Sequence, residues 1–318
     1  MKNPALQPYL WILISGFVFS WMATCAPLAG RACGWQVVAI VRCAIPLLLI
    51  AIWTRWDGVK LVVWGPPILW VRSIAGSCSL VGTFFCFHIL PLTDIYTIAN
   101  TFPIWVALLS WPMFGKIPSL SVWISIACSI AGVVFIQGPD LQSGNYAALV
   151  VVAVSIFTAV AMMGLNRLQD LDPRAIVVHF SATALIFAIA SLFLFPWTPP
   201  TETFELKHLF ELLGVGVTAT FGQFFLTKAF TAGDPAKMSV ASLSQFVYIP
   251  VLDALVLEHP FVVSKLWGIP LILGPTVWLM LHRVKPETAT SSPIVADSSE
   301  VEPDIETVPA LSCDAKSC

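Results

Sequence analysis

HILPLTDIYTIANTFPIWVALL, residues 88–109, is apolar enough to lie in a membrane, yet Pro91, Asp94, Asn100 and Pro103 interrupt it. Proline lacks the N–H that a helix interior needs, so Pro91 is expected to end one helix and turn the chain. Thr93 or Asp94 can then cap the helix that follows. Pro103 frees a backbone carbonyl in mid-membrane, which hydrocarbon tolerates only where protein or water satisfies it. A segment built this way is expected to bear a site.

The rest of the chain explains why the stretch must be read against lipid. Of 318 residues 58% are hydrophobic and 11% charged, whereas soluble domains carry about 25% charged residues. Apolar segments of about 18–24 residues recur, each long enough to cross a ~30 Å hydrocarbon layer as a helix. The alternating segments of a membrane barrel are absent. Turn signals place about ten helices, near 9–29, 36–53, 66–90, 94–114, 120–138, 144–164, 174–195, 208–230, 236–257 and 264–282. The run LWILISGFVFSWMATCAPLAG is too long for a signal-peptide core and is taken as the first span. Trp35, Trp53, Trp56, Trp64, Trp111, Trp123, Trp197 and Trp267 fall near helix ends, where interfacial anchoring accounts for them. The eight cysteines form no Cys-x2-Cys pair, so neither a metal site nor a disulfide framework is indicated, and no cofactor is expected. A net charge of −2 gives no reason to expect nucleic acid.

Counted over the connecting segments, Lys2, Arg55, Lys60, Lys116, Arg167, Arg174, Lys228, Lys237, Arg283 and Lys285 fall on one side, against Arg31, Lys207 and Lys265 on the other. The bias puts both termini in the cytoplasm of a multi-pass protein of the inner membrane. Residues 286–318 are acidic and rich in Ser and Pro, with too little apolar surface to offset ordering, and are expected to be a disordered tail. Sliding the sequence by about 142 positions brings ASLSQFVYIPVLDALVLEHPF under ANTFPIWVALLSWPMFGKIPS, pairing Ala99 with Ala241 and Pro118 with Pro260. The expected organisation is therefore a first five-helix repeat at 1–139 and a second at 140–285. Five is odd, so the second copy must lie upside down relative to the first.

The string LPLTD leading into a helix with TFP near its middle, followed by GKIP and a helix ending in IAG, resembles the EamA module of the drug/metabolite transporter superfamily. GQFFLTKAFTAGDPAKMSVASLSQF, LEHP and LWGIPLILG are similar to that family's later module, including the Glu258 and Gly268 positions; Lys116 departs from it. The resemblance covers residues 5–285 and implies ten helices in two inverted repeats around a central cavity, carrying small organic molecules, usually outward. It also implies a role for Arg42, which matches the family's arginine of the second helix, and for Gln223.

An ionisable side chain at a helix centre costs about 2.5–3.5 kcal/mol on insertion scales, so it should face a cavity or a partner. Arg42, Arg72, His88, His179, Lys228 and Asp253 qualify. Arg72 shares a helical face with Gly76, Ser79 and Thr83, which suits either a cavity wall or close helix packing. Arg42 is read mainly as a structural ion pair. Tyr96, Asn100 and Pro103 share a face, and the repeat carries Asn100 and Pro103 onto Ser242 and Gln245, which lie with Ser239 and Asp253. Thr220, Gln223 and Thr227 form a further stripe. The expected substrate-binding residues are therefore Arg72, Tyr96, Asn100, Gln223, Ser242, Gln245 and Asp253; Arg42, His88, Asp94 and Lys228 are structural or coupling residues. His88 with Asp94 nearby would suit proton exchange, while a packing histidine is the plainer reading.

The expected function is secondary transport of a small polar metabolite by alternating access, directed outward, with proton coupling or exchange as its source of power. No nucleotide-binding string is present. Substrate and lipid are the expected partners, and a homodimer is left open. A membrane sensor or assembly subunit is the alternative, supported by the acidic tail. An integral-membrane lipid enzyme is disfavoured because the histidines are scattered.

Overall fold

The computed structural model describes residues 6–87, 89–115, 117–138, 146–197, 200–256 and 267–281, without the side chains of Tyr146, Asp253, Ala254 and Val256. His88, Lys116, Glu258 and the tail from 286 onward therefore lie outside the described residues. The described chain is all-helical: α1 (Gln7–Cys33), α2 (Trp35–Trp56), α3 (Pro67–Cys86), α4 (Leu92–Ala99), α5 (Phe102–Phe114), α6 (Leu120–Gln137), α7 (Tyr146–Asn166), α8 (Pro173–Leu194), α9 (Leu206–Ala232), α10 (Pro235–Ser242), α11 (Gln245–Val256) and α12 (Gly268–Leu281). Eight stretches, counting α4 and α5 together, are long and apolar enough to cross a membrane, and α12 is a shorter apolar helix. With α10–α11 as one interrupted crossing, the expected ten spans are all present.

Helices apolar on every side suit lipid outside and protein within. The buried positions of α1 are mostly small or hydroxylated, among them Ser15, Gly16, Ser20, Thr24, Ala26 and Ala29, while Leu10, Ile14, Phe17 and Trp21 point outward. Lipid offers no hydrophobic drive for helix association, so close approach and dispersion hold such helices together. At the α6–α12 crossing, a Cβ on Gly132 would stand 2.8 Å from the Gly268 carbonyl oxygen, and one on Gly268 would stand 2.6 Å from that of Gly132. Only paired glycines allow that contact. Trp56, Trp64, Trp111 and Trp267 are exposed, as interfacial rings should be. Trp35 is not an anchor: it is buried edge-on against Phe85 and Phe195, each about 6 Å away.

The packing repeats itself when one half is exchanged for the other. The most extensive neighbours are α1 with α9 and its counterpart α7 with α3, α2 with α8, and α6 with α12. Then come α3 with α8 and its counterpart α9 with α2, and α1 with α11 and its counterpart α7 with α5. These contacts join the halves rather than lying within one. An odd number of crossings per half sets the pseudo-two-fold axis in the membrane plane, giving two inverted five-helix repeats. Tyr9 Oη donates to the Leu279 carbonyl at 3.1 Å, so the start of α1 and the end of α12 share one face of the bundle.

Two expected helices, 94–114 and 236–257, are each broken in the middle. The first breaks at Asn100 and Thr101, ahead of Pro103, which then occupies the opening turn of α5 where its missing N–H is no loss. Both the backbone N–H of Asn100 (3.1 Å) and its side-chain amide (2.6 Å) donate to the Tyr96 carbonyl, and Thr101 Oγ1 donates to that of Ile98 at 2.7 Å. Pro91 is the N-cap of α4; neither Thr93 nor Asp94 caps it. The second break falls at Leu243 and Ser244, where backbone bonds tighten to Val240 and Ala241. Helix ends in the two segments coincide one residue further along than the sequence alignment placed them. Ser242 therefore corresponds to Ala99 and Gln245 to Phe102, so Asn100 and Pro103 are not their counterparts. Each break docks on the first helix of the other half: Ser155 of α7 accepts from Trp105 Nε1 at 2.9 Å, and Gly16 of α1 lies against the Gln245 backbone.

Candidate functional site

Breaking a helix in mid-membrane leaves room beside it, and a cavity of about 250 Å³ lies between the halves at both breaks. Ala99, Asn100 and Phe102 line it from the first break, and Ser242, Gln245 and Ile249 from the second. The walls are chiefly apolar and aromatic, including Phe19, Met22, Phe84, Phe87, Tyr96 and Phe230. Of the expected binding residues, Arg72, Tyr96, Asn100, Gln223, Ser242 and Gln245 all face this one space. Asp253 lies in α11 with its side chain outside the described residues. Arg42, read from sequence as a structural ion pair, lines the cavity as well.

Arg72 is 1% exposed, and none of its guanidinium nitrogens has a hydrogen-bond partner among the described residues. The guanidinium lies 4.1 Å over the ring of Phe180, which offsets part of its desolvation. Its seat is cut by glycines. A Cβ on Gly76 would stand 2.7 Å from Arg72 Nη1, and one on Gly164, across in α7, 2.9 Å from Arg72 Cβ. Gln223 is buried likewise, with Nε2 unpartnered. Four hydroxyls of the cavity are already engaged: Ser79 and Thr158 bond each other at 2.6 Å, Thr83 donates to the Ser79 carbonyl at 2.8 Å, and Ser242 to that of Ser239 at 2.7 Å.

Other expectations resolve away from the cavity. Asp94 is buried in α4, where Thr93 Oγ1 donates to its carboxylate at 3.4 Å. Lys228 lies 4.3 Å over the Trp11 ring. His179 meets Ser73 Oγ at 2.8 Å and stacks edge-on against Trp70. Thr220 and Thr227 are buried beside Gln223 without lining the space. Thr158, Phe180 and Gly164 were not foreseen. The first two sit on helices without a readable polar face. A glycine inside a helix costs about 1 kcal/mol relative to alanine, so Gly164 could have been suspected of a packing role.

Charged pairs close the structure at either end. On the face that holds the start of α1, Arg174 bridges Asp57 from the end of α2 to Asp172, which its Nη2 meets at 3.0 Å. The Arg174 guanidinium holds the Asp172 carboxyl below the usual carboxylate range, outweighing desolvation. On the other face Arg31 lies 3.8 Å from Glu202, and the Thr201 N–H donates to the Arg31 carbonyl at 2.8 Å. The two latches are counterparts: each joins the corner after the first helix of one half to the loop after the second helix of the other.

Inverted halves of membrane-crossing helices, enclosing an amphipathic cavity at a pair of broken helices, define a multi-pass protein of the transporter type. The model of the EamA-like transporter family matches residues 145–281. The chain is 29% identical to the pseudopaline exporter CntI of Pseudomonas aeruginosa, over 70% of its length and 78% of that protein. It is 24% identical to an uncharacterised transporter of Synechocystis, over 71% of each. A solved crystal structure covers 89% of the chain with a TM-score of 0.74 at 18% identity, a likeness of fold alone. Over residues 145–281 the chain is thus similar to the EamA-like transporter family, and over most of its length it resembles proteins named as exporters and transporters.

Proposed function

We propose that the chain is a secondary carrier that exports a small polar organic metabolite by alternating access, rocking residues 1–139 against 140–285 about the cavity. The observation that carries this reading is the pair of buried, unpartnered donors, Arg72 on α3 and Gln223 on α9, facing one space from different halves. Leaving such groups unsatisfied costs about 1–3 kcal/mol each and more for a charge, a penalty that bound substrate would relieve. The exporter name of a relative supports outward direction. The excess of Lys and Arg on the Arg174 face supports a cytoplasmic position for that face and for both termini.

The latches fit such a cycle. Arg174 is half-enclosed by two carboxylates and the Trp53 ring, whereas Arg31 and Glu202 are exposed and far enough apart to contribute little. The conformation is accordingly read as closed at the Arg174 face. Proton coupling through His88 and Asp94 is kept as a hypothesis, as is a homodimer. Transport by the purified full chain in proteoliposomes, with Asn100, Gln223 and Gln245 each replaced by Leu, tests the reading. Loss of flux with intact folding is expected, and undiminished flux in all three would remove the cavity from the mechanism.

A further inference from the structure

We infer that the cavity takes a small organic anion, its carboxylate seated on Arg72 and its apolar remainder lying along the aromatic wall. This rests on the transporter reading above and narrows its substrate class. Two guanidinium groups, Arg42 and Arg72, line the space, and no Asp or Glu stands among the described residues that do. A fully buried cation without a counter-ion is among the costliest arrangements in a protein interior. The surroundings are nonetheless shaped to keep Arg72 there: Gly76 and Gly164 leave the room its side chain fills, and Phe180 lies under its plane. A residue held so closely, with none of its guanidinium nitrogens partnered among the described residues, is placed to receive an anion rather than to pack.

The donor inventory selects the head group. With the hydroxyls of Ser79, Thr83, Thr158 and Ser242 already engaged, the deeply buried lining donors without a partner among the described residues are the Arg72 fork and the Gln223 amide, and Arg42 and Gln245 also line the space. A planar carboxylate matches the fork bidentately and needs little more. A phosphate would bring further oxygens that need partners, and apart from Arg42 and the cavity amides the neighbouring wall of Phe19, Met22, Phe84 and Leu226 offers none. The amphipathic lining calls for an organic acid carrying an apolar or aromatic body.

The test uses cells producing the full chain, with metabolites of the medium sorted by retention on an anion exchanger at neutral pH and by alkaline phosphatase treatment. Compounds whose level changes with the wild-type chain should be retained and phosphatase-resistant. Arg72→Gln should cut that change roughly tenfold or more, and Arg72→Lys, which keeps the charge but not the fork, should fall between. Changes confined to unretained or phosphatase-sensitive compounds would overturn the inference and leave the transporter reading standing; so would wild-type flux of the anion in folded Arg72→Gln. If the wild-type chain changes no compound, the transporter reading falls and the inference with it. Should Arg72→Gln not fold, the charge class of the wild-type cargo and the Arg72→Lys flux still decide.

Discussion

Gln223 and Thr227 lie one turn apart on α9, both buried, and each keeps a polar atom without a hydrogen-bond partner among the described residues. Only Gln223 faces the cavity. Replacing a buried unsatisfied polar group by an apolar one of similar shape is near neutral or stabilising. Gln223→Leu should therefore hold or raise the unfolding midpoint in detergent while lowering transport. Thr227→Val should hold the midpoint and leave transport intact. A fall in both properties for Gln223→Leu would mean that the amide is structural. Gly164→Ala probes the same seat from the other wall: its Cβ would press on Arg72, at a cost of about 1–3 kcal/mol, read as a lowered midpoint together with lost flux. At this scale the sequence was informative about which polar residues converge, since helical spacing alone grouped Tyr96 with Asn100 and Ser242 with Gln245. It gave no sign of Phe180 or Thr158, because a cavity wall supplied by a neighbouring helix leaves no periodic trace in its own strand of sequence.

Among the elements, the broken crossings α4–α5 and α10–α11 carry the site, and their positions show where local reading stops. Pro103 does mark the interruption, but proline suits an opening helical turn, so the break moves ahead of it to Asn100 and Thr101. No proline stands at the second break, where Gly16 of α1 lies against the Gln245 backbone. The α6–α12 crossing gives the sharpest prediction. Gly132→Leu would drive a side chain into the Gly268 backbone and should lower the unfolding midpoint strongly, whereas a Cβ on Gly274 meets nothing within 4 Å and Gly274→Leu should be tolerated. Equal effects of the two would mean that the paired-glycine contact does not hold these helices together.

For the whole molecule, the two latches tie opposite faces of the bundle. Cysteines in place of Asp57 and Arg174, or of Arg31 and Glu202, should each stop transport once bridged by a bifunctional thiol reagent long enough to span the pair; continued flux through the cross-linked chain would refute rocking of the halves. The Arg174 latch also has a pH signature. Asp172 has a lower pKa folded than unfolded, so its contact stabilises the chain above the ordinary carboxylate range and is lost as pH falls through the lowered value. The stability gap between wild type and Arg174→Gln should be full at neutral pH and close on acidification.

Composition, span length and the odd number of crossings per half were enough, without coordinates, to settle an all-helical membrane protein with inverted repeats. Hydrocarbon leaves a chain so few ways to satisfy its backbone that apolar length nearly dictates the element. The register between the halves, the empty donors of Arg72 and the reciprocal latches came only with the tertiary structure. Each depends on which side chains from distant helices meet, and in a bundle whose lipid-facing and inward-facing surfaces are both apolar, periodicity cannot say which helix faces which.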